Sequence, residues 1–219
     1  MSEKPKIMTV YGTRPEAIKV APVVSALQED DRFESVVVST GQHREMLEQV
    51  NKRFGITPDH DMALMKPGQT LNELVARAIQ GLDPIIEKEQ PDVIISQGDT
   101  STAMVAALAG FHKGVKIVHL EAGLRTGNIF SPFPEEANRK IIGQIASLHL
   151  APTNESRENL RRENFRSKDI VVTGNTVIDA LLAASEWDVK FEDPRLEELR
   201  NSDEKLVLVT THRRENLDA

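Results

Sequence analysis

Cysteine is absent from the 219 residues, which removes disulfide cross-links, a thiolate nucleophile and any Cys-based metal site. Aromatic residues are scarce, with seven Phe, one Trp and one Tyr, so the core must be mostly aliphatic. No apolar run approaches the ~18 residues that cross a membrane. The N-terminal MSEKPKIMTV lacks the long apolar segment of a secretory signal. An excess of positive charge is also lacking: 27 Lys and Arg stand against 34 Asp and Glu, a formal net charge of −7. A nucleic-acid binder normally carries a basic patch or stripe, so neither nucleic acid nor a membrane is an expected partner. An anionic small ligand stays open, because a few placed cations outweigh the global sign locally. A cytoplasmic protein is the expectation, with one large domain or one domain and part of another.

What the chain does contain is a regular alternation of strand-like and helix-like patterns. This predicts a Rossmann-like α/β fold, a parallel sheet with helices on both faces. KIMTVY over Lys6–Tyr11 reads as the first strand, Gly12-Thr13-Arg14-Pro15-Glu16 as its turn, and AIKVAPVVSALQE as a helix. Proline at a helix start costs no hydrogen bond. ESVVVSTG is the second strand, and REMLEQVNKRFG a helix closed by glycine. His60–Leu64 is a candidate short strand, and Thr70–Glu89 a helix opening on a capping box. PDVIISQGD, KIVHLE, LHLAP and IVVTGN are further strands. Between and after them lie the small-residue helix TSTAMVAALAGF, a helix reaching about Ala146, a charged helix Asn154–Glu163 capped by Asn154, and TVIDALLAASEW. Asp188–Asp203 reads as a linker or surface helix. LVLVT, Leu206–Thr210, reads as a closing strand that a βαβ chain should continue. The expected domains are therefore residues 1–168 and, from 169 to 219, the start of a second Rossmann-like domain that is cut short.

Open α/β sheets bind ligands outside the carboxyl ends of their strands. Arg14 follows the first strand, Asp99 follows PDVIISQG, and Glu121 follows KIVHL, with Arg125 and the Glu135-Glu136 pair in the next loop. Two or more carboxylates beside a cation are the parts needed for acid–base chemistry near neutral pH. Plainer readings stand beside these: Asp99 as a helix cap, and the loop acids as solvated surface. The Gly12–Glu16 turn is either a tight turn or a phosphate cradle made of helix-start N–H groups, Arg14 and Lys19. It is neither GxGxxG nor a P-loop, so no dinucleotide or NTPase site is signalled. His119 and His149 lie inside strands and read as core residues. His43 follows a strand, and no histidine has metal-ligand spacing with a partner, so no metal site is expected. His212, beside Arg213, Arg214 and Glu215, is a candidate phosphate contact or proton donor, or part of a solvated turn.

Taken in order, GTRPEAIK, TGQHREML, GDTST, HLEAGLRTG, SPFPEEANR, TGNTVIDAL and THRREN cover nearly the whole chain. Together they resemble the non-hydrolysing UDP-N-acetylglucosamine 2-epimerases. The resemblance implies the first domain of a two-domain architecture like that of the B-type (GT-B) glycosyltransferases, with the nucleotide-sugar held between the domains. It implies interconversion of UDP-GlcNAc and UDP-ManNAc, which feeds cell-envelope polysaccharides. UDP is eliminated across C1–C2 to give a 2-acetamidoglucal, then re-added with the opposite configuration at C2. It implies a homodimer that needs no nicotinamide, metal or other cofactor.

Carried onto this chain, the resemblance makes Arg14 a contact to UDP and Lys19 a substrate-binding or catalytic residue. Asp99, Glu121 and Glu135 match the essential acids, the first two at substrate-binding positions, and His212 matches an active-site histidine near the diphosphate. Gln97 stands where many relatives have His. Glu45 and Gly68 stand where some bacterial members have Gln and Arg in an allosteric site, which argues against regulation by a second substrate molecule. Family members are longer, with the uracil pocket and most diphosphate contacts in the second half. Weak nucleotide binding without turnover is therefore the expectation for these residues alone. The runner-up readings are an epimerase of a modified UDP-sugar, of the diacetamido-uronate type, and an inactive UDP-sugar-binding fragment.

Overall fold

The computed structural model describes residues 4–41, 44–66, 68–203 and 205–209, with the side chains of residues 44 and 45 excepted. Contacts divide the chain into two compact units, Met1–Leu182 and Ala183–Ala219. The first holds a seven-stranded sheet in the order β3-β2-β1-β4-β5-β6-β7. Its strands are β1 Lys6–Tyr11, β2 Glu34–Ser39, β3 His60–Asp61, β4 Val93–Gln97, β5 Lys116–Leu120, β6 Leu148–Ala151 and β7 Ile170–Val172. Every neighbouring pair is parallel. The helices are α1 Arg14–Glu29, α2 Arg44–Phe54, α3 Leu71–Glu89, α4 Ser101–His112, α5 Glu135–Ile145, α6 Asn154–Arg162 and α7 Val177–Ser185. The doubly wound Rossmann-like fold expected from the alternation is the one found.

Side-chain alternation along the strands builds two aliphatic cores. Ile7, Tyr11, Val37, Ile95 and Leu120 meet α1 and α2 through Ala17, Val20, Val24 and Leu47. The intervening residues Met8, Val10, Val36, Val38, Ile94 and Ile117 meet α3, α4 and α5 through Leu74, Leu82, Ala103, Ala106 and Ile142. Each fully buried aliphatic side chain of this kind contributes about 1.5–3 kcal/mol. The small residues of α4 let it lie against the sheet, where Gly110 packs on Ile94 and Ile117. Thr70 closes the capping box that its sequence predicts, and Thr13 closes another at the start of α1.

Three expectations are corrected. The cap of α6 is Thr153, whose hydroxyl accepts from the Ser156 N–H; Asn154 is already the first helical residue. β7 joins the first sheet beside β6, so the boundary drawn at residue 168 falls ahead of that sheet's last strand, and the contacts divide after Leu182. In the second unit, α8 Pro194–Arg200 forms behind an Asp193 cap, within the stretch read as linker or surface helix. Residues 205–209 form no strand, and Leu206 to Val209 are exposed. A strand needs a neighbour to satisfy its N–H and C=O groups, and no described strand pairs with it.

Candidate active site

β1 is flanked by β2 on one side and β4 on the other, and the helices that follow β1 and β4 enter opposite cores. Their connecting turns therefore diverge and leave a crevice at the carboxyl ends of the strands, the usual ligand position in open α/β sheets. The turn after β1 carries Arg14, and the turn after β4 carries Asp99.

Glu121 lies one residue past β5, with its backbone in the left-handed region at φ 65°, a conformation that costs a non-glycine residue roughly 1–2 kcal/mol. Its side chain is held from three elements. Lys19 Nζ of α1 donates to Oε2 at 2.5 Å, Gln97 Nε2 at the end of β4 donates to the same oxygen at 2.5 Å, and Asn175 Nδ2 donates to Oε1 at 3.1 Å. Gln97 reaches it because the β4–β5 register sets Gln97 beside Leu120. The result is a carboxylate of fixed orientation, facing one cation and two amides.

Asp99 is held by a second set. Arg139 donates to its Oδ2 from Nε at 2.8 Å and pairs through Nη2 at 2.6 Å, while Asn138 Nδ2 donates to its carbonyl oxygen at 2.8 Å. Arg139 Nη1 also donates to Glu136 Oε2 at 2.9 Å, and Glu136 Oε1 accepts the Gly127 N–H at 3.2 Å. Burial alone would lower the Arg139 guanidinium pKa, but Asp99 and Glu136 outweigh it and raise it. The PEEANR segment thus divides its labour: Glu136, Asn138 and Arg139 clamp the Asp99 turn to α5. Glu135, half-buried at the helix start, has no hydrogen-bond partner among the described residues.

Other expected roles shift. Asp99 does not cap α4; Thr100 does, accepting from the Ala103 N–H, which leaves the Asp99 carboxylate free for Arg139. The phosphate cradle expected at Gly12–Glu16 is filled from within: the Gly12 and Thr13 N–H groups both donate to Glu16 Oε2. Arg14 remains exposed and makes no ion pair among the described residues. Arg125 pairs with Glu163 through two bonds of 2.9 and 2.8 Å, a contact that holds the Glu163 carboxyl down at about 2. His119 and His149 are buried, as expected, and His119 Nε2 lies 2.7 Å from the Gly98 carbonyl oxygen. Burial pushes the His119 imidazole down to about 4, so it is neutral near pH 7 and Nε2 donates. His43 and His212 lie outside the described residues. No group of three or more His, Asp or Glu side chains among the described residues could hold a metal ion.

Sequence reasoning missed Gln97, Arg139, Asn138 and Asn175 as parts of the site. Arg139 carried a usable signal, since Glu136 and Arg139 are three residues apart on one helix and so share a face. Asn175 lies in the TGNTVIDAL segment of the resemblance, but nothing local ties it to Glu121, 54 residues away.

A family model described as UDP-N-acetylglucosamine 2-epimerase matches residues 25–219. The chain belongs to the UDP-N-acetylglucosamine 2-epimerase family. The Escherichia coli K12 protein of that name is 50% identical over 216 residues, which is 96% of this chain and 57% of the relative. A Neisseria meningitidis UDP-GlcNAc 2-epimerase, solved with UDP-GlcNAc bound, superposes with TM-score 0.81 at 48% identity, over 83% of this chain and 49% of the other. A Listeria monocytogenes member gives TM-score 0.88 at 46% identity, over 98% and 55%. The chain thus spans somewhat more than half the length of the curated relatives it matches, and none of its helices is long and apolar enough to cross a membrane among the described residues.

Proposed function

We propose that the protein interconverts UDP-GlcNAc and UDP-ManNAc by inverting C2, acting without a cofactor. The observation that supports this reading is the placement of two anchored carboxylates, Asp99 and Glu121, after the neighbouring strands β4 and β5, each with a cation beside it. The Neisseria relative, solved with UDP-GlcNAc, supplies the ligand class.

In the proposed reaction the C2–H and C1–O bonds break, a C1–C2 double bond forms, and UDP leaves with the C1–O electron pair. UDP then re-forms the bond to C1 while C2 takes a proton on its other face. Removing a weakly acidic C2 proton requires a carboxylate held against it, and the three-point grip on Glu121 supplies that rigidity. Asp99, Glu121 and Glu135 are the acids of the scheme. Arg14 and His212 are assigned to the charge that grows on the leaving diphosphate. Lys19 is assigned to holding Glu121. The proposal extends to a cytoplasmic homodimer.

Proton NMR with UDP-GlcNAc in D2O tests it. The expected product is UDP-ManNAc carrying deuterium at C2, abolished in Glu121→Gln. Product from these 219 residues alone would correct the expectation of binding without turnover, and neither product nor C2 exchange from a chain extended to the length of its relatives would overturn the reading.

A further inference from the structure

Glu16 is 2% exposed and takes no part in the scheme above. Its Oε2 closes the α1 capping box by accepting from the Gly12 N–H at 3.0 Å and the Thr13 N–H at 2.7 Å. A capping box would be complete at that point. Its second oxygen, Oε1, goes further and accepts the Thr100 hydroxyl at 2.6 Å, 84 residues away. Thr100 Oγ1 in turn accepts from the Ala103 N–H at 3.0 Å as the cap of α4. One carboxylate therefore joins the two helix starts that border the crevice. Arg14 lies between Thr13 and Glu16 on one side, and Asp99 immediately precedes Thr100 on the other.

We propose that Glu16 is a positioning residue that locks the Arg14 turn against the Asp99 turn and so sets the spacing between the diphosphate-binding cation and a reacting acid. The roles of those two residues rest on the epimerase reading; the lock does not. The α1 and α4 helices enter different cores, and at this end of the sheet the Glu16–Thr100 bond stands beside a second contact, the close approach of the Thr102 side chain to Gly12. A charged acceptor in a buried site makes a hydrogen bond about twice as strong as a neutral pair. Glutamate also suits the geometry, because all three of its donors need an acceptor and a carboxylate donates nothing.

The test uses Glu16→Gln, Thr100→Asp and Thr100→Ser in the 219-residue chain. Asp keeps an N-cap acceptor for α4 but cannot donate to Glu16, whereas Ser keeps both functions. Amide nitrogen–proton spectra report the lock directly. Glu16→Gln is expected to move the Asp99 and Thr100 resonances, Thr100→Asp to move Gly12 and Thr13, and Thr100→Ser to leave Gly12 and Thr13 in place. Perturbations confined to the mutated turn would overturn the proposal.

Turnover of UDP-GlcNAc, corrected for folded fraction, reports the consequence. A misplacement of about 1 Å costs on the order of 100-fold in rate. Both disrupting variants are therefore expected to lose kcat by roughly 10- to 100-fold with KM shifted by less than about threefold, and Ser to restore it. Wild-type kcat in Glu16→Gln would overturn the positioning role. If these 219 residues alone are inactive, kcat is read in a chain extended to the length of its relatives; inactivity there would count against the epimerase reading, and the amide spectra would decide the lock alone.

Discussion

Lys19 Nζ lies 2.5 Å from Glu121 Oε2, a contact that joins α1 to the exit of β5 across 102 residues of sequence. Neither side chain is fully buried, at 26% and 11% exposure, so the pair stands between the surface case, worth up to about 1 kcal/mol, and the buried case. Lys19→Met is expected to cost about 1–2 kcal/mol in urea unfolding and to lower turnover by roughly 10²–10⁴. Adding Glu121→Gln should recover stability without activity. A single variant that keeps wild-type turnover would remove Lys19 from the site.

Arg139 bridges Asp99 and the fully buried Glu136. Arg139→Met leaves the Glu136 carboxylate without its cation, a change expected to cost about 3–5 kcal/mol. The double variant Arg139→Met, Glu136→Met should regain at least half of that loss, because an apolar pair of similar volume needs no compensation. Equal stability of the single and double variants would mean that the unpaired Glu136 carboxylate carries none of the cost.

His119 links the pH dependence of stability to the Asp99 turn. Burial holds its folded imidazole at about 4, against an ordinary value near 6.5. Below 6.5 the unfolded chain takes up a proton that the folded chain cannot, so stability falls as pH drops from 6.5 towards 4. The loss is on the order of 3 kcal/mol. His149, also lowered by burial, acts in the same direction. His119→Gln keeps a donor for the Gly98 carbonyl and should flatten this part of the profile, measured by urea midpoints at pH 4.5 and 7. An unchanged slope would mean that other groups carry it.

Gly123, in the HLEAGLRTG segment, has φ 93°, and a Cβ there would press on the Ser156 carbonyl oxygen. Gly123→Ala is therefore expected to cost about 3 kcal/mol from backbone strain and overlap together. It should also loosen α6, whose Asn159 donates to the Gly123 carbonyl. Thermal unfolding checks the cost, and a melting temperature equal to wild type would contradict it.

Local chemistry was enough to read most of the elements. The short apolar runs of β1, β2, β4 and β5, the capping box at Thr70, and the small residues of α4 each announce their element through neighbours a few positions away. The sequence also named Arg14, Asp99 and Glu121, because each follows a strand at the end where ligands bind, and Lys19, one turn into the helix behind Arg14. It left Asp99 open between a reacting acid and a helix cap, since Asp99 and Thr100 are both good caps, and only the helix geometry selects Thr100 as the cap. It likewise left the Gly12–Glu16 turn open between a phosphate cradle and a tight turn, and the Glu16 side chain, which occupies the Gly12 and Thr13 N–H groups, decides for the turn.

Composition and pattern, by themselves, determined the doubly wound sheet, its aliphatic cores and the edge on which the site forms, because burial and hydrogen-bond periodicity act over a few residues. Tertiary structure alone decided which partners each acid takes. Strand order brings Gln97, Lys19 and Asn175 to Glu121, Arg139 to Asp99, and Thr100 to Glu16. Those pairings span 24 to 102 residues, and they depend on sheet register and helix placement that no local rule encodes.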